Sequence, residues 1–136
     1  MRNLSFIINC LMVFIVGTLI SSCSVQQSAI NNSGIDGAYT LISVDGKSVP
    51  ASLSHGALGI EIRSGIFTIN ADGTCNSMII MVPASGSELE REVSATYTLD
   101  GSTLSMQWKG AGRTEGIIEG DTFTMVNEGI PYVYRK

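Results

Sequence analysis

Three sulfur-bearing side chains lie close together in the sequence and raise the question of a soft-metal site. Cys75, Met78 and Met81 follow one another at intervals of three, and a thiolate with two thioethers could bind Cu(I). The segment around them is predicted to be a β-strand, in which successive side chains point to opposite faces. Cys75 and Met81 would then share one face and Met78 the other, so the three ligands cannot converge. We therefore expect methionines that fill the core, a Cys75 that is buried or half-buried, and no metal.

The ionisable side chains offer little for catalysis. His55 is the only histidine and falls in a predicted loop, whereas a metal site or a catalytic triad needs more partners. Glu88, Glu90 and Glu92 alternate as they approach a strand, which is typical of a solvated face rather than of a carboxylate pair across a cleft. The sequence has no glycine-rich phosphate loop, serine elbow or HExxH motif. We expect no enzymatic activity and no cofactor.

Aromatic side chains in the second half of the chain are the remaining candidates for a binding site. Five of them fall on one face of the predicted strands: Tyr97, Trp108, Phe123, Tyr132 and Tyr134. They could simply pack the interior, because a closed sheet of about eight strands can be filled by its own side chains. They could instead line a small apolar cavity at one mouth, with tyrosine hydroxyls as polar handles. Both interpretations stay open.

The elements that would position these side chains are short strands joined by turns. Asp45-Gly46, Asp72-Gly73 and Asp100-Gly101 are typical of two-residue hairpins, because a type I′ turn needs positive φ at both central residues. Runs rich in Thr, Val, Ile, Tyr and Phe lie between the turn signals, and no long helical periodicity is evident. The predicted strands are 37–44, 58–63, 65–71, 74–82, 91–99, 103–109, 113–119, 122–127 and 130–135.

The alternation of apolar and polar residues agrees across the predicted turns. The predicted pairs are Phe67–Met78, Ile69–Asn76, Val93–Trp108, Ala95–Met106, Tyr97–Leu104, Gly116–Met125, Ile118–Phe123, Met125–Tyr132 and Phe123–Tyr134. Apolar residues meet on one face in most of these pairs, whereas Thr, Ser and Gln occupy the other face. One apolar face and one polar face over about eight strands predict an all-β fold. We expect a single antiparallel up-and-down β-barrel, because closure removes the free edges of the sheet.

The first residues of the chain have the order of a secretory signal peptide. Arg2 precedes the apolar run Leu4–Ile20, and small residues follow. The segment Ile20-Ser21-Ser22-Cys23 resembles the lipobox of bacterial lipoproteins. The resemblance implies cleavage before Cys23 and acyl chains on its thiol and amino group, which together would anchor the protein stably in a membrane. An ordinary signal peptide cut at a nearby small residue is the alternative.

These assignments divide the chain into a signal peptide (1–22), a lipidated cysteine with a flexible tether (23–34) and one domain (35–136). Without Arg2 the chain carries 7 basic and 12 acidic residues, a net charge of −5. This balance argues against nucleic acid as a partner and against a polybasic lipid-binding patch. Cys10 would leave with the signal peptide and Cys23 would carry lipid, so Cys75 would have no disulfide partner.

The domain resembles the lipocalin-like domains of small bacterial lipoproteins. The segments that carry the resemblance are Gly37–Leu41, Asn70–Thr74, Tyr97–Leu99 and Tyr132–Arg135. In lipocalins a Gly-x-Trp opens the first strand, and a basic residue from the end of the barrel covers the Trp. Here Gly37-x-Tyr39 takes that place. Arg135 is the candidate covering residue, and by strand parity it faces outward.

The sequence therefore predicts a cell-envelope lipoprotein that binds a small apolar ligand inside its barrel. The resemblance to lipoproteins implies the outer membrane, facing the periplasm, or the outer face of the plasma membrane in a Gram-positive source. The alternative is a protein-interaction module, such as an inhibitor or an envelope assembly factor. Such a module would act through loop 45–57 or loop 83–90.

Overall fold

The computed structural model describes residues 34–55 and 58–136, except for the side chains of His55 and Leu58. The predicted signal peptide, the lipidation site at Cys23 and the tether up to residue 33 lie outside the described residues. Among those described, no helix is long and apolar enough to cross a membrane. The strands are β1 (Gly37–Val44), β2 (Lys47–Ser48), β3 (Ala51–His55), β4 (Leu58–Ile69), β5 (Thr74–Pro83), β6 (Leu89–Asp100), β7 (Thr103–Trp108), β8 (Arg113–Glu119), β9 (Thr122–Asn127) and β10 (Ile130–Arg135).

Eight strands close into a single antiparallel up-and-down barrel, which confirms the predicted fold. Consecutive strands pair from β4 to β10, β10 pairs with β1, and β1 pairs with β4 to complete the ring. The two additional strands, β2 and β3, extend β1 and β4 respectively. All these pairings lie within residues 37–135, so a chain that begins at Ser24 contains the complete barrel.

The prediction was wrong in two places around the start of β4. The predicted strands 58–63 and 65–71 are one strand, which continues through a register shift between Ile62 and Ser64. Gly65 does not break the strand; a Cβ there would lie 3.1 Å from Leu41 Cδ2, so glycine permits the close approach of β1. The predicted loop 45–57 contains β2 and β3, and Ala51 and Leu53 on β3 are buried in the core.

The predicted registers are correct for two hairpins and wrong for the other two. Ile118 pairs with Phe123 and Met125 with Tyr132, as expected. Tyr97 pairs with Met106 rather than Leu104, but a shift of two residues keeps every side chain on its face. Phe67 pairs with Ser77 rather than Met78, and this shift of one places Ser77 inside the barrel.

The one-residue error comes from the length of the loop between β4 and β5. Asn70 N donates to Thr74 O at 2.9 Å, so the loop has three residues, and Gly73 has a φ of +87°. The Asp72 carboxylate accepts bonds from the Thr74 hydroxyl (2.6 Å) and backbone N–H (3.0 Å). These bonds lower the pKa of Asp72. Such local side-chain bonds favour the longer turn over the two-residue form.

Aromatic rings pack the end of the barrel at which residue 34 enters and residue 136 leaves. Tyr39, Phe67, Phe123 and Tyr134 are fully buried. The Phe67 ring centroid lies 4.5 Å from that of Phe123 and 5.7 Å from that of Tyr134, and Tyr39 lies 6.2 Å from Phe123. This layer of rings closes one end of the barrel, which we call the packed end.

The basic residue that covers Tyr39 is Lys136 and not the candidate Arg135, whose predicted outward orientation is confirmed. Lys136 Nζ lies 5.7 Å from the centroid of the Tyr39 ring and donates to the carbonyl oxygens of Gly34 (3.0 Å) and Asp36 (2.6 Å). Arg135 is exposed, because side chains alternate along β10. The lysine that follows the strand can instead fold back over the end of the barrel.

Candidate functional site

The end of the barrel opposite the packed end opens into a cavity of about 490 Å³. We call this end the mouth; it lies where β5, β7 and β9 end and where β4, β6, β8 and β10 begin. Most of the lining is apolar and comes from several strands, including Leu53, Ile60, Ile79, Met81, Trp108 and Tyr132. Aromatic rings fill the packed end of the barrel. Shorter aliphatic side chains line the mouth and leave space between them, so the interior is hollow at this end only.

Strand alternation explains why these side chains reach the cavity. On β5 the inward positions are Cys75, Ser77, Ile79 and Met81; Cys75 is fully buried in the packed core and the other three line the cavity. The prediction that Cys75 and Met81 share one face is therefore confirmed. Burial raises the pKa of the Cys75 thiol to about 12, which keeps it protonated and poorly nucleophilic.

Trp108 joins the cavity to the packed core. Its ring lies edge-on to Phe67, with centroids 6.4 Å apart and planes at 86°. The indole Nε1–H donates to the hydroxyl of Thr114 on β8. With its N–H bonded and one edge packed, the ring presents apolar surface to the cavity at a fixed position.

Two polar groups lie at the inner limit of the cavity. Ser77 is the one polar residue that is buried among those described, and it also lines the cavity. The Tyr134 hydroxyl lies beyond it and is fully buried, and burial raises its pKa. The neighbouring Ser77 hydroxyl acts to lower that pKa, although no described residue forms a hydrogen bond of acceptable geometry with the Tyr134 hydroxyl.

Tyr132 places a third hydroxyl closer to the mouth. Its pKa is raised, chiefly by burial and then by the nearby Glu128 carboxylate, whereas Arg91 acts in the opposite direction. The hydroxyl therefore stays protonated at neutral pH and is available as a donor or acceptor.

The mouth carries more positive than negative charge. Arg91, Lys109 and Arg113 line the cavity, and Glu128 is the one acidic residue in the lining. Arg113 lies 3.7 Å from Glu115, whereas neither Arg91 nor Lys109 forms an ion pair within the described part of the chain.

The five aromatic residues proposed from the sequence all lie on the inner side of the barrel, but they divide between two tasks. Trp108 and Tyr132 line the cavity. Tyr97, Phe123 and Tyr134 are buried in the core and do not line it. The Tyr97 hydroxyl, for example, donates to Asn70 O at 2.7 Å.

Sequence reasoning missed the aliphatic side of the cavity and its inward arginine. Leu53 was missed because β3 was read as loop, whereas Ile60 lies within the predicted strand 58–63 but was not assigned to a face. Ile79 and Met81 follow Ser77 at alternate positions, and a correct register for β5 would have shown them on the inner face. Arg91 stands at an inward position of β6, where alternation alone could have identified it.

The residues considered for catalysis or metal binding do not converge. Glu88, Glu90 and Glu92 are exposed, and Glu88 pairs with Arg63 on the outer surface at 3.3 Å. The His55 backbone ends β3, although its side chain is not among those described. Within the described residues no group of three His, Cys, Asp or Glu side chains could hold a metal ion.

No protein-family model, curated protein or solved structure matches this chain. Its function has to be inferred from the barrel and its cavity.

Proposed function

We propose that this protein binds a small apolar ligand in the mouth cavity while anchored to the cell envelope through Cys23. The cavity is the observation that carries the proposal. Its volume of about 490 Å³ falls within the range of roughly 300–1,000 Å³ that ligand pockets occupy. Purely structural packing would fill this space, because protein interiors are close-packed and tolerate few voids larger than a water molecule.

The composition of the lining supports an apolar ligand. Aliphatic side chains of β3, β4 and β5 face Trp108 and Tyr132 across the cavity. Covering such surface would contribute about 25 cal/mol per Å² of apolar area removed from water. The hydroxyls of Ser77 and Tyr132 could orient a ligand that has one or two polar atoms.

The anchor is proposed from the lipobox-like segment that ends at Cys23. A tether that runs to residue 34 would join the barrel at its packed end, where Lys136 holds Gly34. The mouth would then open away from the attachment point. This arrangement suits a protein that takes up its ligand from the space next to the membrane, in the outer membrane facing the periplasm.

Dodecanol is a suitable first probe, and Trp108 is a built-in reporter because it is the only tryptophan. In the chain that begins at Ser24, we expect a saturable change in Trp108 emission on titration. Ile79→Phe fills the cavity and should weaken binding about tenfold or more, since burying fewer methylenes loses about 0.8 kcal/mol each. The matched control is Ile117→Phe, on the outer face at 49% exposure, which should bind normally. Equal affinity in both variants would contradict binding in the cavity.

The second candidate function is a protein-interaction module, and one observation favours it. Leu89, the first residue of β6, is 53% exposed, so it offers apolar surface beside the loop between β5 and β6. Two results together would support this candidate instead. The protein would bind no apolar probe, and Leu89→Ser would abolish the binding of a protein partner that the wild-type chain binds.

A further inference from the structure

We propose that the ligand is a single-tailed anionic amphiphile, with its apolar tail in the cavity and its carboxylate or phosphate head at Arg91. This inference rests on the proposed function, because it names the class of ligand for the same cavity. The carboxylate and phosphate heads share the chemistry that an arginine recognises, since the guanidinium fork matches both anions.

The position of Arg91 on β6 is the first observation. Ala95 and Tyr97 are buried on the inner face and Val93 is half-buried, so the alternation of β6 places Arg91 at the next inward position. Its pairing partner on β5 is Ile79, which also lines the cavity. The glutamates on either side, Glu90 and Glu92, occupy the outer face. A charged residue therefore replaces the apolar residue that an inward position of a barrel strand ordinarily carries.

The unbalanced charge of the mouth is the second observation. The whole chain has an excess of acidic residues, 12 against 8 basic, yet the cavity lining has three basic residues and one acidic residue. Arg113 is close to Glu115, and Glu128 faces Tyr132. Arg91 and Lys109 have no carboxylate within ion-pair distance among the described residues. Arg63, by contrast, is held on the outer surface by Glu61 at 3.0 Å and Glu88 at 3.3 Å.

The gradient of polarity along the cavity is the third observation. Cations surround the mouth, Trp108 and the aliphatic chains form the walls, and the inner limit is closed by the packed core. A neutral apolar ligand would leave the unpaired guanidinium unused, and a cationic one would be repelled by it. An amphiphile with its anionic head at the mouth would contact the basic residues there, and its tail would point inward and contact the apolar walls.

The test compares ligands with the same tail and different heads. Dodecanoate, dodecyl phosphate, dodecanol and dodecyltrimethylammonium are titrated below their micelle-forming concentrations into the chain that begins at Ser24, with Trp108 emission as the readout. We expect one or both anions to bind about five- to tenfold tighter than dodecanol, as a charged hydrogen bond at a partly exposed site provides. The cation should bind more weakly than dodecanol. Acetate and inorganic phosphate, which have no tail, should bind far more weakly than the tailed anions.

Arg91→Gln should remove the preference for anions, so that dodecanoate and dodecyl phosphate bind this variant no more tightly than dodecanol binds the same variant. Arg135→Gln is the matched control, because it makes the same change of charge at an exposed position of the packed end and should keep the preference. Circular dichroism melts of both variants confirm that the barrel is intact.

Each outcome separates this inference from the proposed function. Binding of dodecanol with no preference for the anions would overturn the inference and leave the apolar binding site standing. A preference that survives Arg91→Gln would also overturn it, as would tailless anions that bind as tightly as the tailed ones. No binding of any tailed compound would overturn the proposed function itself.

Discussion

At the scale of single residues, three tyrosine hydroxyls in the packed core have different surroundings. Tyr39 donates to Ile35 O and Tyr97 to Asn70 O, both at 2.7 Å. The Tyr134 hydroxyl is buried with no bond of acceptable geometry among the described residues. A satisfied hydroxyl contributes about 1 kcal/mol to stability, whereas a buried unsatisfied one costs about 1–3 kcal/mol. We therefore expect the hydroxyls of Tyr39 and Tyr97 to stabilise the fold and the hydroxyl of Tyr134 to destabilise it.

These surroundings predict opposite results for two Tyr→Phe substitutions. Tyr97→Phe should lower the free energy of unfolding by about 1 kcal/mol, because it removes the shorter of the two hydrogen bonds to the carbonyl of Asn70, which also accepts from Gly73 N at 3.4 Å. Tyr134→Phe should leave the free energy of unfolding unchanged or raise it by about 1 kcal/mol. Urea denaturation of the two variants measures both. A loss of stability in Tyr134→Phe as large as that in Tyr97→Phe would show that its hydroxyl has a partner.

At the scale of strands, one glycine on β8 leaves room for an aromatic ring of β9. Gly116 pairs with Met125, and a Cβ at Gly116 would lie only 2.3 Å from Cε2 and 2.7 Å from Cζ of Phe123. The Phe123 ring is fully buried and packs against Phe67 with the two ring planes inclined at 41°, so it has little room to move aside. Glycine here gives the ring its space over the strand, as glycines in barrel strands commonly do.

Gly116→Ala should therefore destabilise the barrel by about 1–3 kcal/mol, the usual cost of overpacking a core. The matched control is Gly59→Ala on β4, where a Cβ would meet nothing within 4 Å, and its effect should be close to zero or slightly stabilising. Thermal unfolding compares the two. An equal effect at both positions would mean that the Phe123 contact does not limit the packing.

At the scale of the whole molecule, the barrel has two unlike ends. The packed end carries the aromatic layer, Lys136 over Tyr39 and the start of the described chain at Gly34. The mouth carries the cavity and the basic residues. A lipid anchor that precedes residue 34 would hold the packed end, and the mouth would stay accessible to ligand.

Cys23→Ala tests this arrangement by removing the proposed lipid attachment. When the full chain is expressed in a bacterium with lipoprotein processing, we expect the wild-type protein in the membrane fraction and labelled by a radioactive fatty acid. The variant should lose the label, because no other residue of the chain provides the lipobox-like cysteine. Cys10→Ala is the control and should retain the label. Labelling that survives Cys23→Ala would contradict the lipoprotein assignment.

Local patterns account for the parts of the structure that were predicted correctly. Alternation of period two places Tyr97, Phe123 and Tyr134 inside whatever the exact register, because a shift of two residues changes no face. The last two hairpins were predicted in register, since the residues assigned to their turns, Gly120-Asp121 and Glu128-Gly129, are the ones that join the strands. The β4–β5 hairpin was not, because the bonds of Asp72 with Thr74 lengthen its loop.

The sequence by itself determined the all-β class, the closed barrel and the inner face of most strands, because turn residues and alternation act within a few residues. The tertiary structure alone decided which inward side chains pack and which line a cavity. That division depends on the height of each residue along the barrel, and height is set by the stagger of all eight strands and the irregularity after Ile62. Trp108 and Tyr132 lie at the height of the mouth and Phe123 at the height of the packed end, although all three carry the same pattern in the sequence.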